Sequence, residues 1–567
     1  VSSPVVAYPQ TMDMPPPPRF ALPMLVVVGI GIGLRLLGYF DPGLQLWLDE
    51  ASWAEMLVDG SATWIRPAGY MTLSGWLLSI VNTEPMLRSL SLVGGIALLL
   101  LAQGIFRRIT TSQAIAVFGV FLLAISPVAV GMSKEFKPYA LEAAFHGAMI
   151  WLVVRWLAGH RLQHLVGFVV VAALAPLFAW SVVFAYPGLF LIVAVEAART
   201  RRLRELGLCA VGGVTTLAML VFIFLQRVAG EDEKTGFWGR KYDVFYTGRN
   251  VLKGFWWGVR KTFEVAGFPG RTSLGWPASV TQALEGALPV VVAVAVLASV
   301  LILLARRRWL ALTIWVLPWV VTLIFNAAGK WPYGVFRTNL FLLVYTVGVL
   351  VAGLDALRTA RPWSPSTRRL AVGGLVLLGV VMAPLDLDRF RVKEENSLAL
   401  SSSVRTALEH IVAEAPADGP VDLAMDGHGC GASGYYRRLH RDTKDTLGPA
   451  LSSSRFRIHC GGFIPKKWLV QLDGLRSPVS YVLVAKPPFV VLTREQMRLR
   501  CTSFTELDLP SSTTVFRCLP RAAPLPAAVP GPNDVANDPD EHDEHDEHDV
   551  ADEHGEPDGV GVNGATP

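Results

Sequence analysis

Ser133-Lys134-Glu135-Phe136-Lys137-Pro138-Tyr139 interrupts two apolar stretches, 112–130 and 138–158. A helix needs about 20 apolar residues to cross a hydrocarbon core of ~30 Å, and both stretches approach that length. Three ionisable side chains caught between two such runs belong at a membrane surface. Pro138 fits the first turn of a helix, where its missing N–H is no loss. The seven residues therefore read as the lip of a span, with Lys134 and Lys137 flanking Glu135.

Further apolar runs lie near 20–38, 87–106, 163–180, 182–197, 206–226, 287–305, 309–326, 336–356 and 370–386, making about eleven spans. The expected fold class is mostly α, a polytopic transmembrane helical bundle. Composition agrees: 52% of the 567 residues are hydrophobic and 17% charged, against about a quarter charged in soluble domains. Mean hydropathy is +0.41. The net charge of +5 is scattered over short loops, which argues against nucleic-acid binding, since that needs a contiguous basic face.

Arg107-Arg108, Arg155 with Arg161, Arg199 to Arg204, Arg306-Arg307-Arg308 and Arg358 to Arg369 fall on one side of the bundle. The positive-inside rule makes that side cytoplasmic, together with the N-terminus. The loops 39–86, 131–137, 227–286 and 327–335, and everything after about 387, then face outward. Segment 240–271 is basic on the outer side, but the loop is long and the rule weakens there. The first run has no small-residue cleavage pattern and reads as an uncleaved anchor.

Four regions follow. Residues 1–19, with Pro15 to Pro18, read as a disordered cytoplasmic leader, and 20–389 as the membrane domain. Residues 390–520 have the texture of a small extracytoplasmic α/β domain. Ser397 to Glu414 has helical periodicity, while 421–425, 481–485 and 514–518 read as strands and a short helix is expected from Gly434. Residues 521–567 carry the run 540–548 of Asp, Glu and His, have too few apolar side chains to bury a core and read as a disordered tail. That run can bind a divalent metal weakly. Four cysteines, Cys430, Cys460, Cys501 and Cys518, lie in the outer region and allow up to two disulfides of open pairing; Cys209 lies in a span.

Two more motifs share the outer face with 133–139. Trp47-Leu48-Asp49-Glu50-Ala51 follows the first span, and Lys330-Trp331-Pro332-Tyr333-Gly334-Val335-Phe336-Arg337 precedes a late one. A carboxylate just outside the membrane can act as general base on a hydroxyl; the plain alternative is an acidic pair at the start of a helix near Ala51. Arg337 is suited to a phosphate through two parallel hydrogen bonds, or else it snorkels at a helix end. The lysines of 133–139 can meet a phosphate, or form an interfacial collar.

The order of first span, outer Asp-Glu, then Ser-x-Glu-x-(Lys/Arg)-Pro-Tyr opening a later span resembles the C-type (GT-C) membrane glycosyltransferases, in the branch of protein O-mannosyltransferases and the lipid A aminoarabinose transferase. The resemblance covers roughly 20–390. It implies a sugar donor linked to polyprenyl phosphate and an extracytoplasmic glycan, lipid or protein acceptor. It makes Asp49 the catalytic base and Glu50 the second acid of the first motif, holding the loop or the acceptor. Glu135, Lys137, Pro138 and Tyr139 match the second motif. Phe136-Lys137 stands where an Ala-Arg pair is common, which keeps the charge and loses the fork of a guanidinium. The third motif resembles a Tyr-Pro…Arg element, with Pro332 and Tyr333 in reversed order, and offers Arg337 to the donor phosphate with Lys137 and Lys134. Tyr139 and Tyr333 take supporting places.

Other ionisable residues sit within spans. Glu142 and His146 share a helix face and line a cavity or hydrogen-bond to each other. Arg35 is expected to snorkel or meet an acid, and Asn326 and Asn339 add little. The Trp- and Tyr-rich loop 227–286 reads as an interfacial segment or a lid. No phosphate loop, zinc spacing or Gly-x-Ser-x-Gly elbow is present. The motifs require no cofactor and supply no metal ligand set, and the sequence leaves a divalent-metal requirement open. A transporter or flippase of lipid-linked sugars, and a membrane scaffold with an outer interaction domain, are the rival readings.

Overall fold

The computed structural model describes residues 22–40, 48–58, 66–227, 278–333, 338–359, 404–438, 447–461, 474–484, 487–507 and 513–521, with a few positions between. Within Val1–Pro520 the chain forms one compact unit. The expected boundary near 390, the span at 370–386, the leader and the tail lie outside the described residues.

Helix α1 (Leu22–Leu36) rises to the motif-bearing end of the bundle. The loop expected at 39–86 holds two helices, α2 (Leu48–Val58) and α3 (Ala68–Ile80). Helix α4 (Glu84–Ile109) begins with a Thr83 cap and Pro85 in its first turn, and leads away from that end. Helix α5 (Gln113–Ile125) returns, Ser126-Pro127 breaks it, and α6 (Pro127–Met132) carries the chain into 133–138. Helix α7 (Tyr139–Gly159) then runs alongside α4 in the same direction. A Cβ at Gly94 would stand 2.6 Å from the Leu141 backbone, so the two helices touch main chain to main chain there.

The next elements are α8 (Leu162–Leu174), α9 (Tyr186–Arg199), α10 (Leu203–Arg227), α11 (Ala278–Ala305), α12 (Trp309–Trp315), α13 (Leu317–Ala327) and α14 (Leu340–Arg358). Four described helices are long and apolar enough to cross a membrane, namely α4, α7, Leu203–Phe222 of α10, and α14. The pair α12 and α13, bent by 43°, passes as a fifth. Shorter apolar helices cover Leu22–Leu36, Gln113–Ile125, Leu162–Leu177 and Val290–Ala305. This is fewer uninterrupted spans than the sequence suggests, and the prolines explain part of the difference. Pro127 splits 112–130, Pro176 turns the end of 163–180 into a 3-10 segment, and the α12–α13 bend falls beside Pro318. Helix α1, at 15 residues, is only about 22 Å long.

Beyond the bundle, residues 404–414 form α15, followed by α16 (Gly427–Arg438), α17 (Leu447–Ser452) and α18 (Pro487–Arg500). The five strands are β1 (Val421–Met425), β2 (Phe456–Cys460), β3 (Val479–Val484), β4 (Cys501–Leu507) and β5 (Thr514–Pro520), in the order β2-β1-β3-β5-β4. Strand β1 is parallel to β2 and β3, whereas β5 is antiparallel to β3 and β4. Strands β2 and β4, the two edges, have no counterpart in the sequence reading, and the helix expected from Gly434 starts at Gly427. The disulfides are Cys430–Cys460, tying α16 to β2, and Cys501–Cys518, across β4 and β5. Cys209 is free and buried.

The α/β domain shares a core with the bundle's outer helices. Ala51, Trp53, Ala54, Tyr70, Met71, Leu87 and Phe136 form one apolar cluster with Val404, Leu408, Leu423, Tyr435, Tyr436 and Tyr481. Glycines set the closeness of α16 to α2. A Cβ at Gly431 would stand 3.0 Å from Ser52 Oγ, and one at Gly434 would clash with Glu55. An ion pair of 3.1 Å from Arg405 on α15 to Glu84 at the start of α4 makes a second tie.

Candidate active site

Helix α2 brings the first motif into the shared core. Glu50 is fully buried, and its carboxylate accepts from Arg88 Nε at 3.0 Å and from Arg88 Nη2 at 2.8 Å. It also accepts from the Phe136 backbone N–H. One acid thus joins α2, α4 and the 133–138 segment through a planar two-bond pair. Position 49 lies in the first turn of α2, one turn before Trp53; the Asp49 side chain lies outside the described residues.

Trp53 is the hub of the site. Its ring meets Phe136 edge-on at 6.3 Å and Tyr70 at 6.5 Å, and Tyr70 stacks on Phe136 at 5.5 Å. Two cations approach the same indole: Lys137 Nζ lies 4.1 Å from a ring centroid and Arg66 Cζ lies 4.4 Å. Lys137 is buried, and its carbonyl accepts from Ser91 Oγ at 2.6 Å, with Tyr70 OH 3.0 Å from Ser91 Oγ. The lysine is thereby held at both its backbone and its head.

The rest of the second motif joins helices. Lys134 Nζ donates to the Leu37 carbonyl beyond the end of α1 at 2.5 Å, and Ser133 Oγ donates to Ala129 at 2.6 Å. Glu135 is buried, and Tyr139 starts α7. Arg35 does not snorkel, and among the described residues it meets no acid. It is wholly buried, donating to the carbonyls of Gly31 at 2.8 Å, Ala124 at 3.2 Å and Leu123 at 3.2 Å. Pro127 ends α5 and leaves those last carbonyls without helical partners, which the guanidinium replaces.

In the third motif, Arg337 lies outside the described residues. Tyr333 is buried in the bundle core, near Trp257 at 6.0 Å and Trp319 at 6.1 Å, not in the cluster around Trp53. Asn326 and Asn339 do more than the sequence reading allowed. Asn326 Nδ2 donates to Trp331 O at 2.9 Å, Asn339 Nδ2 donates to Pro332 O at 2.7 Å, and Trp331 Nε1 donates to Asn339 Oδ1 at 3.0 Å. Together they pin the turn before α14. Most of loop 227–286 lies outside the described residues.

Deeper in the bundle, Glu142 and His146 do not bond directly. Ser181 Oγ donates to Glu142 at 2.8 Å and stands 3.2 Å from His146 Nε2, while Tyr345 OH stands 2.7 Å from His146 Nδ1. Once the Ser181 proton points at the carboxylate, Nε2 must carry the imidazole proton and Nδ1 must accept from the tyrosine. Each of these four side chains then has a partner.

Two residues of the site escaped the sequence reading. Arg88 is the only charged residue within 87–106, and an arginine just inside an apolar run is a signal in itself. Arg66 is the only basic residue in 39–86. Among the described residues no group of three His, Cys, Asp or Glu could hold a metal ion; the run 540–548 lies outside them.

No protein-family model and no curated protein sequence matches the chain. Among solved structures it is similar to ArnT from Cupriavidus metallidurans bound to undecaprenyl phosphate, at 14% identity and a TM-score of 0.46, over 87% of this chain and 97% of that one. The apo state of that protein gives 13% and 0.44 over the same shares. The archaeal oligosaccharyltransferase AglB from Archaeoglobus fulgidus, in complex with an inhibitory peptide and a dolichol-phosphate, gives 14% and 0.39 over 82% of this chain and 69% of that one. Each is a likeness at low identity that extends over most of this chain's length.

Proposed function

We propose that the chain is an integral-membrane glycosyltransferase that moves a sugar from a polyprenyl-phosphate carrier to an acceptor hydroxyl outside the cytoplasm. The observation that carries the reading is the pair of cations on Trp53, one turn along α2 from Asp49. Two cations gathered on one indole at the mouth of an apolar bundle suit the phosphate of a lipid-linked donor, which a guanidinium and an ammonium can both meet. The order of the three motifs supports the same donor by resemblance to GT-C enzymes.

In this reading Asp49 takes the proton of the acceptor hydroxyl as its oxygen attacks the anomeric carbon. The bond from that carbon to the phosphate breaks, and the electron pair leaves with the polyprenyl phosphate. Lys137, Arg66 and Arg337 stabilise the charge that develops on the leaving oxygen. Attack opposite the phosphate inverts the anomeric centre. Glu50 keeps α2 in register by way of Arg88 and Phe136, and Lys134 holds the end of α1.

The test is transfer by purified protein supplied with donor and acceptor on the outer side. Asp49→Asn should remain folded and lose about 10²–10⁴-fold in rate, the usual cost of one oriented base. Undiminished transfer in that variant removes Asp49 from the role. A flippase would make no new glycosidic bond in this assay. A scaffold would make none either, and deleting 390–567 should abolish its partner binding.

A further inference from the structure

The far ends of α4 and α7 carry a second cluster of charge that the proposed reaction does not use. The two helices stay together along their length. Ser91 reaches the Lys137 carbonyl at the motif end, and Gly104 abuts Trp151 near the other, where an added Cβ would stand 2.7 Å from the indole nitrogen. Arg108 and Arg155 therefore emerge side by side, and the turn into α8 adds Arg161 and His164. Arg155 Cζ lies 5.2 Å from a Trp151 ring centroid, and the Trp151 and His164 rings meet at 6.3 Å. The charged neighbours of the buried His164 are Arg155, Arg161 and Arg108, and those of Arg108 are Arg155 and Arg107.

The arginines of this group are all cations. Among the described residues no carboxylate pairs with Arg108, Arg155 or Arg161, whereas on the adjoining part of the same rim acids do meet bases. There Glu196 meets Arg199 at 2.9 Å and His160 at 3.9 Å, and Glu205 meets Arg202 at 2.9 Å. The contrast within one rim singles out Arg108, Arg155 and Arg161 as bases that no described carboxylate meets.

We propose that Arg108, Arg155, Arg161 and His164 form a binding site for the phosphate of an anionic phospholipid. Like charges gathered at the edge of a low-dielectric bundle repel, and a phosphate relieves them. Guanidinium groups suit it through paired hydrogen bonds. The surface below the cluster favours a lipid over a free ion. Leu162, Val166, Val170 and Leu174, spaced four apart on α8, are 49%, 42%, 49% and 48% exposed. They make an apolar stripe on the exposed face of α8, the helix that begins just after Arg161, along which an acyl chain can lie. Trp151, packed against Arg155 and His164, adds an indole of the kind that concentrates at membrane interfaces.

The site is independent of the proposed transfer reaction, so the test needs no activity. Delipidated full-length protein is titrated with phosphatidylglycerol, phosphatidylcholine or inorganic phosphate, and retained lipid is read by native mass spectrometry. Wild type should hold phosphatidylglycerol preferentially. Each charge removed should weaken it roughly fivefold, so Arg108→Gln/Arg155→Gln should lose roughly thirtyfold. Arg161→Gln, at an exposed position, should lose roughly fivefold and keeps the test alive if the double variant fails to fold. Equal retention by Arg161→Gln and wild type, equal retention of phosphatidylcholine, or displacement of the lipid by inorganic phosphate at matched concentration overturns the proposal.

Discussion

Glu50 and Glu142 are both buried carboxylates, one at the mouth of the bundle and one inside it, and they are satisfied by opposite means. Glu50 is locked to Arg88 and takes a backbone N–H as well. Glu142 accepts from Ser181 in a run that continues through His146 to Tyr345, with no cation among those partners. The mouth thus keeps formal charge at the cost of desolvation, while the interior uses neutral donors. Charge is retained where three helices and the α/β domain meet, and where a charged donor group would have to be received. Inside, where helices only need fixed spacing, a neutral relay suffices.

The largest effect should come from breaking the pair at the mouth. Arg88→Met leaves Glu50 buried without its counter-charge, a loss of about 3–5 kcal/mol for a broken buried pair. Glu50→Gln/Arg88→Met removes both charges and should recover most of that stability, measured by thermal unfolding in detergent. Transfer activity should stay low in both variants, because α2 is no longer tied to 133–138. Recovery of stability together with full activity would mean that the pair serves folding alone.

The seam between α2 and α16 comes next. Gly434→Leu places a side chain where Glu55 lies, and overpacking of that kind costs about 1–3 kcal/mol. Combining it with Glu55→Ala opens the space, so the double variant should approach wild-type stability. Hydrogen exchange on 48–58 supplies the readout: faster exchange in Gly434→Leu, reversed in the pair. Unchanged exchange would show that α16 does not hold α2.

The network inside the bundle should be more forgiving. Glu142→Gln keeps an acceptor for Ser181 and removes no counter-ion, so the expected loss is about 1 kcal/mol, the scale of one neutral hydrogen bond. A loss as large as that of Arg88→Met would erase the distinction between the two regions.

How far the sequence could be read follows the same division. Apolar runs gave the helices, and the acids and cations between them marked the mouth. The breaks at Pro127 and Pro318 were visible as residues, but their effect on span continuity was hidden by unbroken hydropathy. Strands β1 and β3, buried nearly throughout, stood out as apolar runs. Strands β2 and β4 are sheet edges with mostly exposed or half-buried residues, Phe456–Cys460 and Cys501–Leu507, and so lacked an apolar signal. Within the site, the sequence pointed to Glu50 and Lys137 but not to what they touch. Arg88 is the lone charge in its apolar run and Arg66 the lone base in its loop, and only the tertiary fold brings them to α2. Arg35 looked like an interfacial arginine because nothing local reveals that the carbonyls of Leu123 and Ala124 stand opposite it.

The smallest effect should come from a third carboxylate, Asp422 on β1, which lies between the two types. Burial pushes its carboxyl up, but hydrogen bonds from His459 and from the backbone N–H groups of Arg476 and Ser477 outweigh this and hold it below the ordinary aspartate value. A depressed carboxylate stabilises the fold above the unfolded-state value, and that contribution is lost as pH falls through the folded one. The gap in unfolding temperature between wild type and Asp422→Asn should therefore be widest near neutral pH and should close on acidification. Since the donors include two main-chain groups fixed by the sheet, the gap should persist in His459→Gln, reduced but with the same sign of pH dependence. A gap that widens in acid would mean that Asp422 is held in its neutral form, as expected of a carboxyl governed by burial alone.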